Sequence, residues 1–324
     1  MKLLVTGGAG YIGSVVAAQL VAAGHEVTVL DDLSTGHADA VPAGAVFVKG
    51  TLREAAARVL ADGAEAVLHF AARSLVGESV AEPGRYWSDN LGGSLALLEA
   101  MRELRVRTIV FSSTAAVYGE PERTPVTETD PARPTSPYGA SKLAVDTALR
   151  EFARLYGFAA VSLRYFNVAG AHRAADGSWL GERHNPETHL IPNVLAAAAA
   201  GRRVQVFGDD YPTADGTCVR DYIHVTDLAD AHLRALRACQ PGRHRIYNLG
   251  NGAGFSVREV IEACREVTGI GIGADVVARR PGDPAVLVAS AARIQAELGW
   301  RAARDLKDMA ADAWRFIRWR GSSR

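Results

Sequence analysis

The sequence is short of cysteine, of net charge and of long apolar runs, and each shortage closes off a class of protein. Three cysteines occur in 324 residues, Cys218, Cys239 and Cys264. An odd, widely spaced set with no Cys-x-x-Cys pair suits a reducing compartment and supports neither a disulfide framework nor a zinc site. Lysine plus arginine equals aspartate plus glutamate at 36 each, so the charge balance carries no nucleic-acid or membrane footprint. No apolar stretch reaches the about 20 residues that span a bilayer. The opening "MKLLVTGGAG" turns glycine-rich after Thr6, too early for a signal peptide. The expectation is a cytoplasmic protein with no membrane and no nucleic acid among its partners. What remains is ordinary: 48% hydrophobic and 22% charged residues describe a globular chain long enough for two modest domains or one domain with a lobe.

Along the chain, "KLLVT" (2–6), "EVTVL" (26–30), "AVFVK" (45–49), "AEAVLHF" (64–70), "RTIVFSS" (107–113) and "AAVSLRYFNV" (159–168) read as buried strands. Helical spacing runs through "YIGSVVAAQLVAAG", segments near 52–61 and 88–105, and "SKLAVDTALREFARLYG" (141–157). Strands alternating with helices predict an α/β fold, a doubly wound parallel (Rossmann) sheet over residues 1–168. A smaller C-terminal α/β lobe over 169–324 is expected to bind substrate. Segments near 220–250 are expected to return to the first domain, because "RDYIHVTDLADAHLRAL" is apolar enough to pack there. Residues 170–190 read as a polar loop, and the alanines at 196–200 as a helix stopped by Gly201.

The first chemical signal is "VTGGAGYIGS". Gly7, Gly10 and Gly13 let the backbone turn tightly and approach a pyrophosphate held at a helix N-terminus. A glycine motif alone is weak, but this one follows a strand and opens a helix, which is the context it requires. The second strand ends in Asp31, eighteen residues past Gly13. An acid there accepts ribose hydroxyls and repels a 2′-phosphate, and no lysine or arginine lies between Asp31 and Gly36, so NAD is favoured over NADP. The lone His69, in an apolar run, reads as structural.

The second signal is "PTSPYGASKLAVD". On a helix, Tyr138 and Lys142 share a face. A lysine beside a phenol stabilises the phenolate, lowers the tyrosine's pKa and makes a base for neutral pH. Taken alone the pair is better read as an unremarkable helix face. Upstream, however, "FSSTAAVYG" brings Ser112, Ser113 and Thr114 to the C-terminal edge of a strand, where ligands bind in open α/β sheets. A hydroxyl, a lysine-supported tyrosine and a nicotinamide together move a proton and a hydride. The functional reading then outweighs the bland one.

These pieces, with "LDDLSTGH", "LHFAARSLVGESV", "LRYFNVAGAH", "VFGDDYPTADGTCVRDYIHVTDLADAH", "YNLGNGAGFSV" and "RRPGDPA" in order along the chain, carry a resemblance. The chain resembles the extended short-chain dehydrogenase/reductase family, and within it the bacterial UDP-glucose 4-epimerases. The resemblance implies NAD held by Gly7, Gly10, Tyr11, Ile12, Gly13, Asp31, Phe70, Ala71, Asn90, Ser112, Tyr138, Lys142 and Phe166. It implies that Tyr138 takes the proton of the sugar 4-hydroxyl, that Thr114 relays or holds it, and that Lys142 binds the nicotinamide ribose. C4 gives its hydride to NAD, the 4-keto sugar turns over, and the hydride returns on the other face, interconverting UDP-galactose and UDP-glucose. Substrate contacts are implied at Thr114, Tyr138, Asn167, His189, Leu190, Phe207, Arg220, Arg280 and Asp283; arginines suit the diphosphate because a guanidinium pairs with it through two parallel hydrogen bonds. A homodimer is implied through helices near 88–105 and 138–157.

Three positions depart from the pattern. Thr51 stands where some relatives carry an aspartate reaching adenine, and Arg73 where many carry lysine. Leu287 is intermediate in size at the position that widens or narrows the sugar pocket, and the plain hexoses are favoured over their N-acetyl forms. The rivals are a 4-epimerase for N-acetylhexosamine, pentose or uronate sugars, a nucleotide-sugar dehydratase, and a non-catalytic NAD-binding protein. Ala115 and Ala116 stand where a dehydratase needs an acidic pair, and a binding protein has no use for Tyr138 with Lys142. The two histidines of "HNPETH" lack a third ligand in sequence, so no metal is expected. The terminal "WRFIRWRGSSR" reads as the frayed end of a last helix.

Overall fold

The computed structural model describes residues 1–280 and 283–322. Pro281 and Gly282 of the "RRPGDPA" motif, and Ser323 and Arg324 of the terminal run, lie outside the described residues. The first half runs β1 (Lys2–Thr6), α1 (Tyr11–Ala22), β2 (Glu26–Asp31), β3 (Ala45–Lys49), α2 (Leu52–Ala61), β4 (Ala66–His69), α3 (Val76–Ala81), α4 (Pro83–Tyr86), α5 (Gly93–Glu103), β5 (Thr108–Thr114), α6 (Pro137–Tyr156) and β6 (Ala159–Tyr165). Local chemistry sets the boundaries. Thr51 and Glu54 form a reciprocal cap at the start of α2. The Ser136 hydroxyl accepts from Gly139 N, Pro137 opens α6, and Gly157 ends it in the left-handed region at φ 72°.

Two boundaries differ from the sequence reading. The helix expected near 88–105 begins earlier, at Pro83, and widens over Trp87–Gly92 before α5. The sixth strand, expected to reach residue 168, stops at Tyr165. Asn167 N donates to the carbonyl of Asp221 instead, so the chain leaves the main sheet at Phe166.

The second half runs β7 (Asn167–Ala169), β8 (Ala171–Arg173), β9 (Trp179–Gly181), α7 (Leu190–Ala199), β10 (Val204–Phe207), β11 (Val219–Arg220), β12 (Tyr222–His224), α8 (Val225–Ala238), β13 (Arg243–Leu249), β14 (Phe255–Ser256), α9 (Val257–Thr268), β15 (Ala274–Val277), β16 (Val286–Leu287), α10 (Ala292–Leu298) and α11 (Leu306–Ser322). The polar segment 170–190 thus contains the antiparallel hairpin β8–β9. The terminal run is no frayed end: Phe316 of α11 is 4% exposed and lies so close to Gly181 that a Cβ there would meet its ring at 2.6 Å.

Seven parallel strands form the main sheet in the order β13-β6-β5-β4-β1-β2-β3. One face is covered by α1 and α8, whose Val15, Val16, Leu20, Leu228 and Ala231 are buried together, and the other by α2, α5 and α6 through Val59, Leu97, Met101, Val145 and Leu149. Burial on both faces explains why β4 and β5 read as unbroken apolar runs rather than alternating ones. A separate core, with Ile191, Val194, Val260, Ile261 and Met309, joins α7, α9 and α11 in the lobe. Strand order reverses between β1 and β4, which opens a crevice beyond their carboxyl ends. Among the described residues no helix is long and apolar enough to cross a membrane.

Candidate active site

The glycine loop enters that crevice directly from β1. Gly7 sits at φ +70°, and a Cβ there would fall 2.5 Å from Ala71 N, so only glycine lets the loop lie against Phe70 and Ala71 at the end of β4. A Cβ on Gly13 would meet the Gly7 carbonyl at 2.3 Å. Gly10 precedes α1 as its N-cap with no side-chain cap, and a Cβ there would meet nothing nearer than Gly7 O at 3.3 Å. The first-turn amides of α1, at Tyr11 and Ile12, are therefore left to an anion. Asp31 accepts from Ala9 N (3.0 Å) and Leu33 N (2.8 Å). Burial raises its pKa and these two amides pull it back; each oxygen keeps a lone pair for a hydroxyl. A cradle only glycine can form, an uncapped helix start and an acid at the end of β2 fit a dinucleotide with free ribose hydroxyls.

Asn90, expected beside the cofactor, ties protein segments together. Nearly fully buried, it spends both amide protons on Arg73 O (3.1 Å) and Ser141 Oγ (3.1 Å), and its oxygen accepts from Arg73 N (2.8 Å). It ties the segment after β4 to α6. Arg73 itself is paired with Asp89 at 2.6 Å, and Thr51 is committed to its helix cap. His69 is a core bridge, 2.7 Å from Thr6 Oγ1 and 2.8 Å from Ser94 Oγ. Burial, then the Lys142 charge, drives its pKa to about 3.

The catalytic candidates converge at the carboxyl end of β5. Tyr138, in the first turn of α6, is half-buried and packs edge-on to Tyr86. Burial raises the pKa of its phenol, and the neighbouring Thr114 hydroxyl pulls it back. Lys142, 3% exposed, donates 2.8 Å to the carbonyl of Ser112 and lies over the Phe111 ring. Burial lowers it to about 7 against the opposing pull of Asp146. The expectation that Lys142 depresses the tyrosine is therefore corrected for the protein alone: burial dominates the phenol, and the ammonium is satisfied by a carbonyl. Tyr165, unforeseen in the sequence, forms a short hydrogen bond with the Ser112 hydroxyl; burial, then the Tyr138 charge, raises its pKa. Ser113 faces elsewhere, donating to Asp146 at 3.2 Å, where Arg164 makes a buried ion pair at 2.9 Å.

The substrate candidates follow from the end of β6. Phe166 is buried with Val117 and Tyr118, and Leu287, the position expected to shape the sugar pocket, packs on the same cluster near the end of β5. Asn167 Nδ2 donates to Asp221 O (3.0 Å). Arg220, with a side chain 15% exposed, is held by Pro284 O (2.7 Å) and Asp283 (3.2 Å). The Arg280 guanidinium lies 3.9 Å from the centre of the Phe207 ring, a cation–π contact that leaves its donors for an anion. His189 caps α7 and Leu190 begins it.

His189 also corrects the sequence reading of "HNPETH". Glu182, at the end of the hairpin, and Glu187 join His184 and His189, with ligand-type atoms of all four within 4.8 Å of one another. The two carboxylates that stand beside the histidines are Glu182, outside the motif, and Glu187 within it. Burial opposes the charge on His189, but the two carboxylates outweigh it and raise its pKa to about 10.

A glycine cradle at the β1/β4 reversal and a Tyr138–Lys142 pair on α6 define a nucleotide-dependent short-chain oxidoreductase site. The chain belongs to the NAD dependent epimerase/dehydratase family, whose model matches residues 3–250. It is 56% identical to the UDP-glucose 4-epimerase of Streptomyces lividans, over 97% of this chain and 95% of that one. It is 54% identical to the UDP-glucose 4-epimerase of Corynebacterium glutamicum, over 98% and 95%. The fold matches the UDP-glucose 4-epimerase of Stenotrophomonas maltophila, solved with bound NAD and formylated UDP-arabinopyranose, at TM-score 0.94 and 42% identity over 100% of both chains.

Proposed function

We propose that the protein is an NAD-dependent isomerase that interconverts UDP-galactose and UDP-glucose, with Tyr138 as the acid–base residue. The observation that carries the assignment is Tyr138 beside Thr114, one helical turn from a buried Lys142, at the carboxyl end of β5. NAD, when bound, supplies a hydride acceptor for C4 and a positive charge beside the phenol. Gly7, Gly10, Gly13 and the first-turn amides of Tyr11 and Ile12 would hold its pyrophosphate, Asp31 its ribose, and Phe70, Ala71 and Phe166 its surroundings. Tyr138 accepts the 4-hydroxyl proton and gives it back, Thr114 holds the proton's path, and Lys142 anchors ribose. Because burial alone raises the Tyr138 phenol, positive charge arriving in the site is what makes it a base. Arg220, Arg280 and Asn167 bind the nucleotide part, which leaves the sugar free to present either face to one fixed base.

Residues 1–168 with the segment near 220–250 would form the cofactor domain, a division supported by β13 completing the sheet beside β6. A homodimer through α5 and α6 is supported by exposed Leu95, Leu155 and Tyr156 on those helices; a sizing measurement giving a monomer removes it. A cytoplasmic location rests on three free cysteines.

The function is tested by supplying UDP-galactose to purified protein without added NAD. UDP-glucose should form, and Tyr138→Phe should abolish it; no conversion even with NAD supplied rejects the assignment. The same assay with UDP-N-acetylgalactosamine reads the pocket at Leu287. A ratio well in favour of the plain hexose is expected, and an inverted ratio would transfer the assignment to the N-acetyl sugars.

A further inference from the structure

Four side chains with no part in hydride or proton transfer meet between β9 and α7: Glu182, His184, Glu187 and His189. The His184 Nδ1 lies 3.0 Å from Glu182 Oε1 and 3.9 Å from Glu187 Oε2, and the His189 Nδ1 lies 2.5 Å from Glu182 Oε1 and 3.4 Å from Glu187 Oε1. In a tetrahedral zinc site with ligand bonds near 2.1 Å, ligand atoms stand about 3.4 Å apart. The four separations bracket that edge. A second observation points the same way: the Nδ1 atoms of both imidazoles are buried, yet neither makes a hydrogen bond of acceptable geometry. They converge with the carboxylates on a common point rather than pairing one to one.

The surroundings are those of an oriented ligand set. Glu187 Oε1 accepts from the backbone N–H of Thr188 (2.8 Å) and His189 (2.9 Å), which fixes the carboxylate as outer-shell bonds fix metal ligands. Glu182 is 5% exposed in its side chain, unlike a solvated surface acid. Arg183, between two of the four, is tied to Asp39 at 2.9 Å through Nη1, and its carbonyl lies 3.2 Å from His37 Nε2.

We propose that Glu182, His184, Glu187 and His189 form a closed binding site for a zinc-class divalent cation, one that pins the start of α7 to the β8–β9 hairpin. Two imidazoles and two carboxylates suit borderline cations such as Zn²⁺ and Co²⁺ rather than Ca²⁺ or Mg²⁺, which prefer all-oxygen sites. Four protein ligands leave no open position, so the ion is structural. Coordination through Nδ1 leaves the His189 Nε2 protonated as a donor. The site therefore locks a residue at the edge of the substrate lobe without entering the reaction.

The test uses the purified full-length protein, treated with chelator, dialysed and titrated with Zn²⁺ by calorimetry. One equivalent should bind with sub-micromolar Kd, and Co²⁺ should give the intense visible absorption of four-coordination. Zn²⁺ should also raise the melting temperature, since it binds the folded state alone. His184→Ala, at a residue with no place in the catalytic or substrate site, should weaken binding at least about tenfold and abolish the melting shift while circular dichroism is unchanged. Glu187→Gln should do the same, and Cys218→Ser should leave binding intact. Absence of stoichiometric binding, or binding unaffected by His184→Ala and Glu187→Gln, overturns the proposal and leaves the cluster an ion-pair network.

Discussion

The sheet half and the substrate lobe are held together by different forces. In the sheet, β4 is buried at every position and β5 and β6 at all but one end residue, so apolar burial on two faces defines the structure. The lobe's strands are only two to four residues long and largely half-exposed, as in β11, β15 and β16. There, buried carboxylates grip loop amides over long stretches of chain. Asp221 accepts from Asn251 N (2.7 Å), Gly252 N (3.0 Å) and Ala289 N (3.0 Å). From the sheet side, Asp227 at the start of α8 holds the run into α11 in the same way, accepting from Ala303 N and Arg304 N at 2.9 Å each. The lesson is that a scaffold which must be rigid uses non-directional burial, while a lobe which must hold loops in one shape uses directional bonds, each costly to leave unmade.

The same division should separate chemistry from binding, and that gives the largest expected effect. Tyr138→Phe should lower kcat by about 10³-fold or more, in line with the loss of a general acid–base group. Arg220→Ala should instead raise KM with kcat little changed. Steady-state kinetics on both variants decide it, and a kcat collapse in Arg220→Ala would break the comparison.

Next come the two kinds of buried carboxylate. Asp146→Ala orphans the Arg164 guanidinium in the sheet half and should cost about 3–5 kcal/mol in urea unfolding. Asp221→Ala orphans backbone amides in the lobe and should cost about 2–3 kcal/mol. Its amide-exchange protection should be lost in α7 and α9 while β5 and β6 stay protected. Uniform loss across both halves would show that the lobe is not a separate cooperative unit.

A third test reads the charge on Lys142 in cofactor-free protein. Its pKa is lowered to about 7 from 10.5 by burial, against Asp146 on the same helix and with buried His69 on the sheet side. Between those values the unfolded chain binds a proton that the folded chain does not, so stability rises with pH across the window and is flat below it. The gain should be on the order of 3–5 kcal/mol. In Lys142→Met the rise should vanish when the urea midpoint is followed from pH 7 to pH 10, as these bounds require. The smallest effect is local: Thr51→Ala removes the α2 cap and should cost about 1 kcal/mol without touching activity. A change in cofactor affinity there would restore an adenine contact to Thr51.

Several features were legible because their causes are local in sequence. The strands show as apolar runs, and the cradle shows because Gly7, Gly10 and Gly13 constrain a backbone only seven residues long. Tyr138 and Lys142 show because four residues make one helical turn. The misread features all depended on distant partners. Phe166 leaves the sheet because Asp221, far along the chain, offers its carbonyl to Asn167. That Asn90 also ties Arg73 to Ser141 could not be read from sequence, because the three meet only in space.

By itself, then, the sequence determined the doubly wound sheet, the dinucleotide cradle and the tyrosine–lysine pair, since periodicity, steric need for glycine and helical spacing are properties of neighbouring residues. Only the tertiary structure decided that Lys142 spends its proton on the Ser112 carbonyl, that burial rather than lysine governs the resting Tyr138 phenol, and that Glu182 gathers with Glu187, His184 and His189. Each of those depends on how deeply a group is desolvated and on which charges fold against it, and both quantities exist only once chain segments far apart in sequence have packed together.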